Sequence, residues 1–286
     1  MSWKKSAAFA LAAASAVCFV AAAGMGEERT PVPEKPTVIQ AESVQPAPVT
    51  VVEPAPEVVE VPPAYDHTMP APETPAVEKS YFADAAFVGD SRTDGFMLYS
   101  GIGCGKNLSS NGLSIFKLES KKALTIDGEK YTLLEVLEQE QYGKVYLCLG
   151  VNELGVYDDE GFYRAYLSAI DAIRACQPGA IIYIQGLIPL NEEDVAASKG
   201  GDYLKNDRLR VYNDLMFKAA QEKQVVFLDL YTAFADENGS LPAGASRDGV
   251  HLKKEYCQQW LAYLQTHTVA PELLGLTGTD KENIPA

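Results

Sequence analysis

Basic residues are in the minority in this chain: 24 Lys and Arg stand against 39 Asp and Glu, a formal net charge of -15. No Lys/Arg-rich face or stripe interrupts that excess. Neutralising nucleic-acid phosphates requires one, so nucleic acid is excluded as a partner, whereas neutral glycans and esters are not. Cysteine is also sparse. Five cysteines in 286 residues neither build a disulfide framework nor follow a metal-ligand spacing. Cys148, in an apolar run, and Cys176, at a helix end, read as small buried hydrophobes; one disulfide among Cys104, Cys148, Cys176 and Cys257 stays open. Histidine is scarcer still, with three residues, so chemistry that needs an imidazole has few addresses. No internal repeat is present.

What the chain does have begins with Lys4 and Lys5 ahead of an uncharged, Ala-rich run from Ser6 to Ala23 that ends in Ala21-Ala22-Ala23. A positive start, an apolar stretch and a small-residue end are the marks of an export signal. Left uncut, the same 18 residues are long enough to span a bilayer, so residues 1–26 read as a signal peptide or an N-terminal membrane anchor. The weak hydropathy of Ala favours cleavage. Cys18 follows Ser15-Ala16-Val17, which is not a lipobox. An extracytoplasmic location is expected in either case, secreted or tethered to the outer face of the membrane.

Residues 27–79 hold 12 of the 17 prolines, and 10 acidic residues against 3 basic ones. Proline and like-charge repulsion predict an extended, disordered linker that builds no core. It reads either as a stalk through a cell wall or as a leader of no selected length. From residue 80 to 286 short apolar runs alternate with amphipathic stretches, the pattern of an α/β domain with a mostly parallel sheet. Strands are predicted at Ala85–Gly89, Lys144–Leu149, Ala180–Gln185 and Val225–Leu230, with a weaker one before Asn111. Helices are predicted at Thr132–Glu140, Glu160–Cys176, Leu204–Gln224 and Lys253–His267. In the second of these, Phe162, Tyr166, Ala169, Ile170 and Ile173 share one face. A short C-terminal tail follows from Thr268.

Four segments carry residue types suited to chemistry. In Phe87-Val88-Gly89-Asp90-Ser91 a buried strand ends at a serine that opens a helical stretch. Open α/β sheets bind ligands at that edge, where helix N-terminal amides favour an oxyanion. By itself the segment reads equally as a helix cap. In Asp248-Gly249-Val250-His251 the carboxylate and imidazole lie three residues apart. One turn brings them together, so that the carboxylate orients the ring and the other ring nitrogen faces a serine. His67 falls in the linker and His267 near the tail, which leaves His251 as the domain's candidate base; without a serine partner the pair reads as a cap and a surface residue. Leu149-Gly150-Val151-Asn152 ends an apolar strand and offers an amide donor, and Ser110-Asn111-Gly112 offers a backbone one. Each of these last two also reads as an ordinary turn.

Taken in order, Gly89-Asp90-Ser91, Gly112, Gly150-Val151-Asn152-Glu153 and Asp248-Gly249-Val250-His251 resemble the four blocks of the SGNH (GDSL-type) hydrolase superfamily. The resemblance spans roughly Phe87 to Leu252. It implies a flavodoxin-like three-layer α/β/α sandwich, no metal and no cofactor, and esterase, lipase or acyl-transfer activity. It further implies Ser91 as nucleophile, Asp248 and His251 completing a triad, and Ser91, Gly112 and Asn152 forming an oxyanion hole. One position departs from the family pattern: Glu153 stands where Asp is usual, which bears on loop geometry rather than on a donor. Asp90 is expected to be structural, and Arg92 to be a solvated or ion-paired helix residue, with contact to an acidic substrate group as the alternative. The polar segment from Asn191 to Asp207, in place of an apolar lid, points to a small acyl ester on an extracellular or cell-wall glycan rather than to a lipid. An O-acyltransferase with the same triad, or a non-catalytic envelope-binding module, are the alternatives.

Overall fold

In the computed structural model of the protein, residues 64–276 are described; the predicted export segment, most of the linker and the end of the tail lie outside the described residues. Among the described residues no helix is long and apolar enough to cross a membrane. In chain order the elements are β1 (Ala85–Gly89), α1 (Ser91–Tyr99), β2 (Lys106–Ser109), β3 (Leu124–Ile126), β4 (Glu129–Tyr131), α2 (Leu133–Leu137) and β5 (Lys144–Cys148). They continue as α3 (Asp159–Cys176), β6 (Ile181–Gln185), α4 (Glu192–Ala197), α5 (Asn206–Lys223), β7 (Val226–Leu228), α6 (Leu230–Phe234) and α7 (Lys254–Thr266).

Five strands form a parallel sheet in the order β2-β1-β5-β6-β7. β1, β5 and β6 are buried at every residue, as expected of strands covered on both faces by crossover helices. The chain runs outward from β1 to β2, then returns across it to β5. This reversal opens a crevice at the carboxyl ends of β1 and β5, where such sheets bind ligands. β3 and β4 pair separately as an antiparallel hairpin. The predicted strands and helices are present, with ends shifted by at most three residues; β1 has the expected bounds and α3 starts one residue earlier. The hairpin, α4 and α6 had no periodicity long enough to announce them.

Side-chain packing fixes the layers. The predicted apolar face of α3 is buried, and its Phe162 stacks on Tyr212 of α5 with ring centroids 3.8 Å apart. Burying one such aromatic contributes roughly 2–3 kcal/mol. On the other face of the sheet Phe96 of α1 meets Trp260 of α7, and the Trp260 indole N–H donates to Gln185 of β6 at 2.9 Å. Between the layers Phe87, Tyr146 and Tyr183 stack across three adjacent strands at 5.0 and 4.5 Å.

Residues 64–79 pack onto this core. Ala71 is buried and its N–H donates to Phe227 of β7 at 2.8 Å, Val77 donates to Gln265 at 2.9 Å, and His67 Nδ1 lies 3.2 Å from the Val225 carbonyl. Residues 64–79 therefore form a strap along an edge strand and the end of α7, where the sequence had suggested only linker. Proline-rich composition hid this contact, because a proline-spaced strap bonds through its few remaining amides. The four cysteines from Cys104 onward are free thiols. Cys148 is buried as expected; Cys176 is only half-buried, with its thiol turned onto the Ala172 carbonyl at 3.0 Å.

Candidate active site

β1 ends at Gly89, and a Cβ there would lie 2.0 Å from Thr93 Oγ1 and 2.8 Å from the Cys148 carbonyl. Only glycine lets α1 start this close to the sheet. Asp90 caps α1 by accepting from the Arg92 N–H at 2.9 Å. It is buried, and burial raises its carboxyl above the usual range against the pull of the Arg92 amide and charge. Its role is structural, as expected. Ser91 is thus the first helical residue, half-exposed above the crevice.

Across 160 positions of sequence, Ser91 Oγ lies 2.8 Å from His251 Nε2. His251 Nδ1 lies 2.6 Å from Asp248 Oδ2. The hydrogen-bond network assigns the ring proton to Nδ1, facing the carboxylate, and leaves Nε2 to accept from the serine. The other carboxylate oxygen, Asp248 Oδ1, accepts from the N–H groups of Val250 and His251 at 2.9 and 2.8 Å, and from Ser246 Oγ at 3.0 Å. Partial burial raises the Asp248 carboxyl. The hydrogen bonds from the His251 backbone and ring and from Val250, with the adjacent imidazole, outweigh it and hold the group below the usual carboxylate range. Asp248 therefore stays ionised, able to stabilise an imidazolium.

The loop bearing this pair is buttressed from outside. Gly249 has φ 81°, and a Cβ on it would come within 2.2 Å of the Asn191 carbonyl and 2.5 Å of Val195. The Asn191 N–H donates to the Gly249 carbonyl at 3.0 Å, and Ser198 Oγ to the Asp248 carbonyl at 3.2 Å. The polar segment from Asn191 to Asp207 thus contributes a helix, α4, that supports the His251 loop instead of a lid. No sequence signal announced this support, or the part played by Ser246; both depend on chain segments meeting across the fold.

Ser110 to Leu113 form a turn closed by a 2.9 Å bond from the Leu113 N–H to the Ser110 carbonyl, with Gly112 at φ 67°. The Gly112 N–H makes no backbone bond among the described residues. Asn111 lines the same small cleft as Ser91 and His251. Asn152 follows β5, and its amide donates to the Leu113 carbonyl at 3.1 Å and toward Asp90 Oδ2 at 3.4 Å. It therefore ties the Gly112 turn to the start of α1. All five residues singled out in the sequence, Ser91, Gly112, Asn152, Asp248 and His251, lie at this carboxyl edge of the sheet.

Arg92 departs from expectation. It is 4% exposed, and its Nη2 donates to the Ile188 carbonyl at 3.0 Å while Nε and Nη1 find no partner. Burial lowers its pKa. Being next to the half-exposed Ser91 on a helix turned it inward, because helical neighbours sit about 100° apart.

Glu153 is the residue whose role the sequence left least defined. It is 1% exposed, its Oε1 accepts from the Ile115 N–H at 3.0 Å, and its Oε2 has no partner. It anchors the segment just after the Gly112 turn, a reach that the extra methylene over Asp provides. Burial pushes its pKa up to about 7, with Asp90 adding to the rise and hydrogen bonds from Ser114 and Ile115 opposing it. Below pH 4.5 native and unfolded chains both carry this proton. Between there and about 7 the unfolded carboxyl ionises first, so stability falls as pH rises, by roughly 3 kcal/mol in all. Glu153→Gln, neutral throughout, should remove that decline. Urea unfolding at pH 5 and pH 8 should show the variant gaining on wild type by about 2–3 kcal/mol; curves that stay parallel would refute the assignment.

Residues 87–256 match the model of the GDSL-like Lipase/Acylhydrolase family. Two solved structures with provisional names share the fold. One is a platelet activating factor from Streptococcus pneumoniae, with TM-score 0.51, 22% identity, and 63% of this chain and 81% of that chain covered. The other is a GDSL-like lipase from Parabacteroides merdae, with TM-score 0.50, 14% identity, and 72% and 100% covered. At these identities the likeness concerns the fold. No curated protein matches the chain by sequence. With a family match over most of the α/β domain and a serine bonded to a carboxylate-oriented histidine, the chain belongs to the GDSL-like lipase/acylhydrolase family and is a serine hydrolase of carboxylic esters.

Proposed function

We propose that the protein is an exported esterase that removes a small acyl group, such as O-acetyl, from an extracellular glycan or envelope component. The observation that carries the chemistry is the Ser91–His251–Asp248 relay at 2.8 and 2.6 Å. His251 Nε2 takes the proton from Ser91 Oγ as that oxygen bonds to the ester carbonyl carbon. The oxyanion is held by the N–H of Ser91, uncommitted at the start of α1, by that of Gly112 and by the Asn152 amide, which exchanges its long 3.4 Å contact with Asp90 for the oxyanion. The carbon–alkoxide bond then breaks, His251 returns the proton to the departing alcohol, and water releases the acyl group by the same steps in reverse.

The cleft of about 260 Å³ beside Ser91 supports a short acyl group; it is smaller than the roughly 300–1,000 Å³ of a pocket that encloses a drug-sized molecule. Export rests on the N-terminal sequence pattern. Asn152→Ala should lower kcat on an aryl acetate by about a hundredfold or more, with the Ser91 relay untouched. A variant as active as the parent would remove Asn152 from the oxyanion hole. Hydrolysis should also fall steeply from acetyl to octanoyl esters of the same phenol, and a preference for octanoyl would overturn the short-acyl reading.

A further inference from the structure

The smaller cleft beside Ser91 adjoins a second one. This larger cleft, about 830 Å³, lies on the Asp248 side of the imidazole and is lined by Asp248, Arg247, Lys253, Lys254 and Glu255, with Tyr99, His251 and Leu252 shared between the two. In a chain with net charge -15, three cations lining a single cleft need a reason. Arg247 and Lys254 are exposed and Lys253 is half-buried. Among the described residues none of the three lies within 4.0 Å of a carboxylate oxygen.

Two carboxylates line the same cleft. Asp248 is committed to Ser246, to two backbone N–H groups and to the imidazole, which leaves Glu255 as the uncommitted carboxylate among the lining residues. The N-terminus of α7 opens there too. Its N-cap Lys253 makes no side-chain cap, so the positive end of the helix dipole adds to the field. Among the described residues the three side chains make no ion pair or hydrogen bond, and they share a concave surface with the catalytic histidine.

The side of the site matters chemically. His251 hands its proton to the departing alkoxide, so the alcohol half of the ester must sit within reach of His251 and away from the oxyanion donors, which points it to the larger cleft, while the acyl half takes the smaller one that holds Ser91 and Asn111. We propose that the larger cleft receives the alcohol half and that this half is anionic, a carrier bearing carboxylate or phosphate groups held by Arg247, Lys253 and Lys254. This inference rests on the esterase reading and adds the substrate's charge to it. A cationic wall beside the reacting bond raises the local concentration of such a carrier, an effect that salt weakens.

The test compares three acetates with related phenol leaving groups: neutral methyl 4-acetoxybenzoate, 4-acetoxybenzoate, and 4-acetoxyphenyl phosphate. Wild type and the triple variant Arg247→Gln/Lys253→Gln/Lys254→Gln are assayed as full chains, with the single variant Arg247→Gln beside them. For each anionic ester, the ratio of its kcat/KM to that of the neutral ester should fall about tenfold or more in the triple variant. The loss should lie in KM, and the wild-type ratio should drop with added sodium chloride while the variant's stays flat. A larger loss for one anion identifies which group the carrier bears. Ratios equal in wild type and variant, or insensitive to salt in wild type, would overturn the anionic carrier while leaving the esterase standing. Failure to hydrolyse even the neutral ester would overturn both.

Discussion

Ser91→Ala should abolish ester turnover, lowering kcat by about four to six orders of magnitude while leaving the fold intact. Ser91 is half-exposed and, among the described residues, its hydroxyl bonds to His251 alone, so its removal opens no cavity in the core and breaks no bond that holds the domain together. The start of α1 is set by the Asp90 cap and by Gly89, neither of which touches the deleted oxygen. The loss must therefore appear as chemistry. Stopped or steady-state hydrolysis of an aryl acetate, with thermal unfolding of the same preparation, measures both quantities. Activity within tenfold of wild type would mean that some other group attacks the ester, and labelling of Ser91 by a fluorophosphonate in the parent protein would locate the nucleophile independently.

Asp248→Asn should cost about three to four orders of magnitude in kcat, almost as much as loss of the nucleophile. The two carboxylate oxygens do different work. Oδ1 collects the Ser246 hydroxyl and the Val250 and His251 amides, whereas Oδ2 faces the ring at Nδ1. Asparagine can keep its oxygen at the Oδ1 position and so preserve the loop. Its NH2 then faces the imidazole as a donor, forces Nδ1 to accept, and places the ring proton on Nε2, where it cannot receive the proton from Ser91. The variant should fold as wild type and bind substrate with little change in KM. Its residual activity should rise with pH as hydroxide takes over as base. A kcat within tenfold of wild type would show that Asp248 serves only to shape the loop.

Glu153 and Arg92 mark where local reading ended. In a single sequence a charged residue beside a turn reads as solvated, and each of these is all but sealed from water. Glu153 reaches the Ile115 amide 38 residues away and Arg92 the Ile188 carbonyl 96 residues away. No periodicity encodes such partners. The strap from residue 64 to 79 is a similar case, since its bonds fall on β7 and on the end of α7, about 155 to 190 positions downstream.

What the sequence determined by itself is what short-range physics controls. Buried parallel strands read as continuous apolar runs, amphipathic helices as a 3.6-residue period, and Asp248 with His251 as a pair one turn apart. The serine at a strand end, the glycine turn and Gly150-Val151-Asn152 could be recognised in order because their local geometry is set within a few residues. Tertiary structure alone decided that Ser91 meets His251, that α4 braces the loop between Asp248 and His251, that Glu153 is buried beside the Gly112 turn, and that three cations share a cleft with the base. Those outcomes depend on contacts between segments far apart in the chain. Such contacts are fixed by how the helices pack on the sheet, and packing is a property of the whole core rather than of any window of sequence.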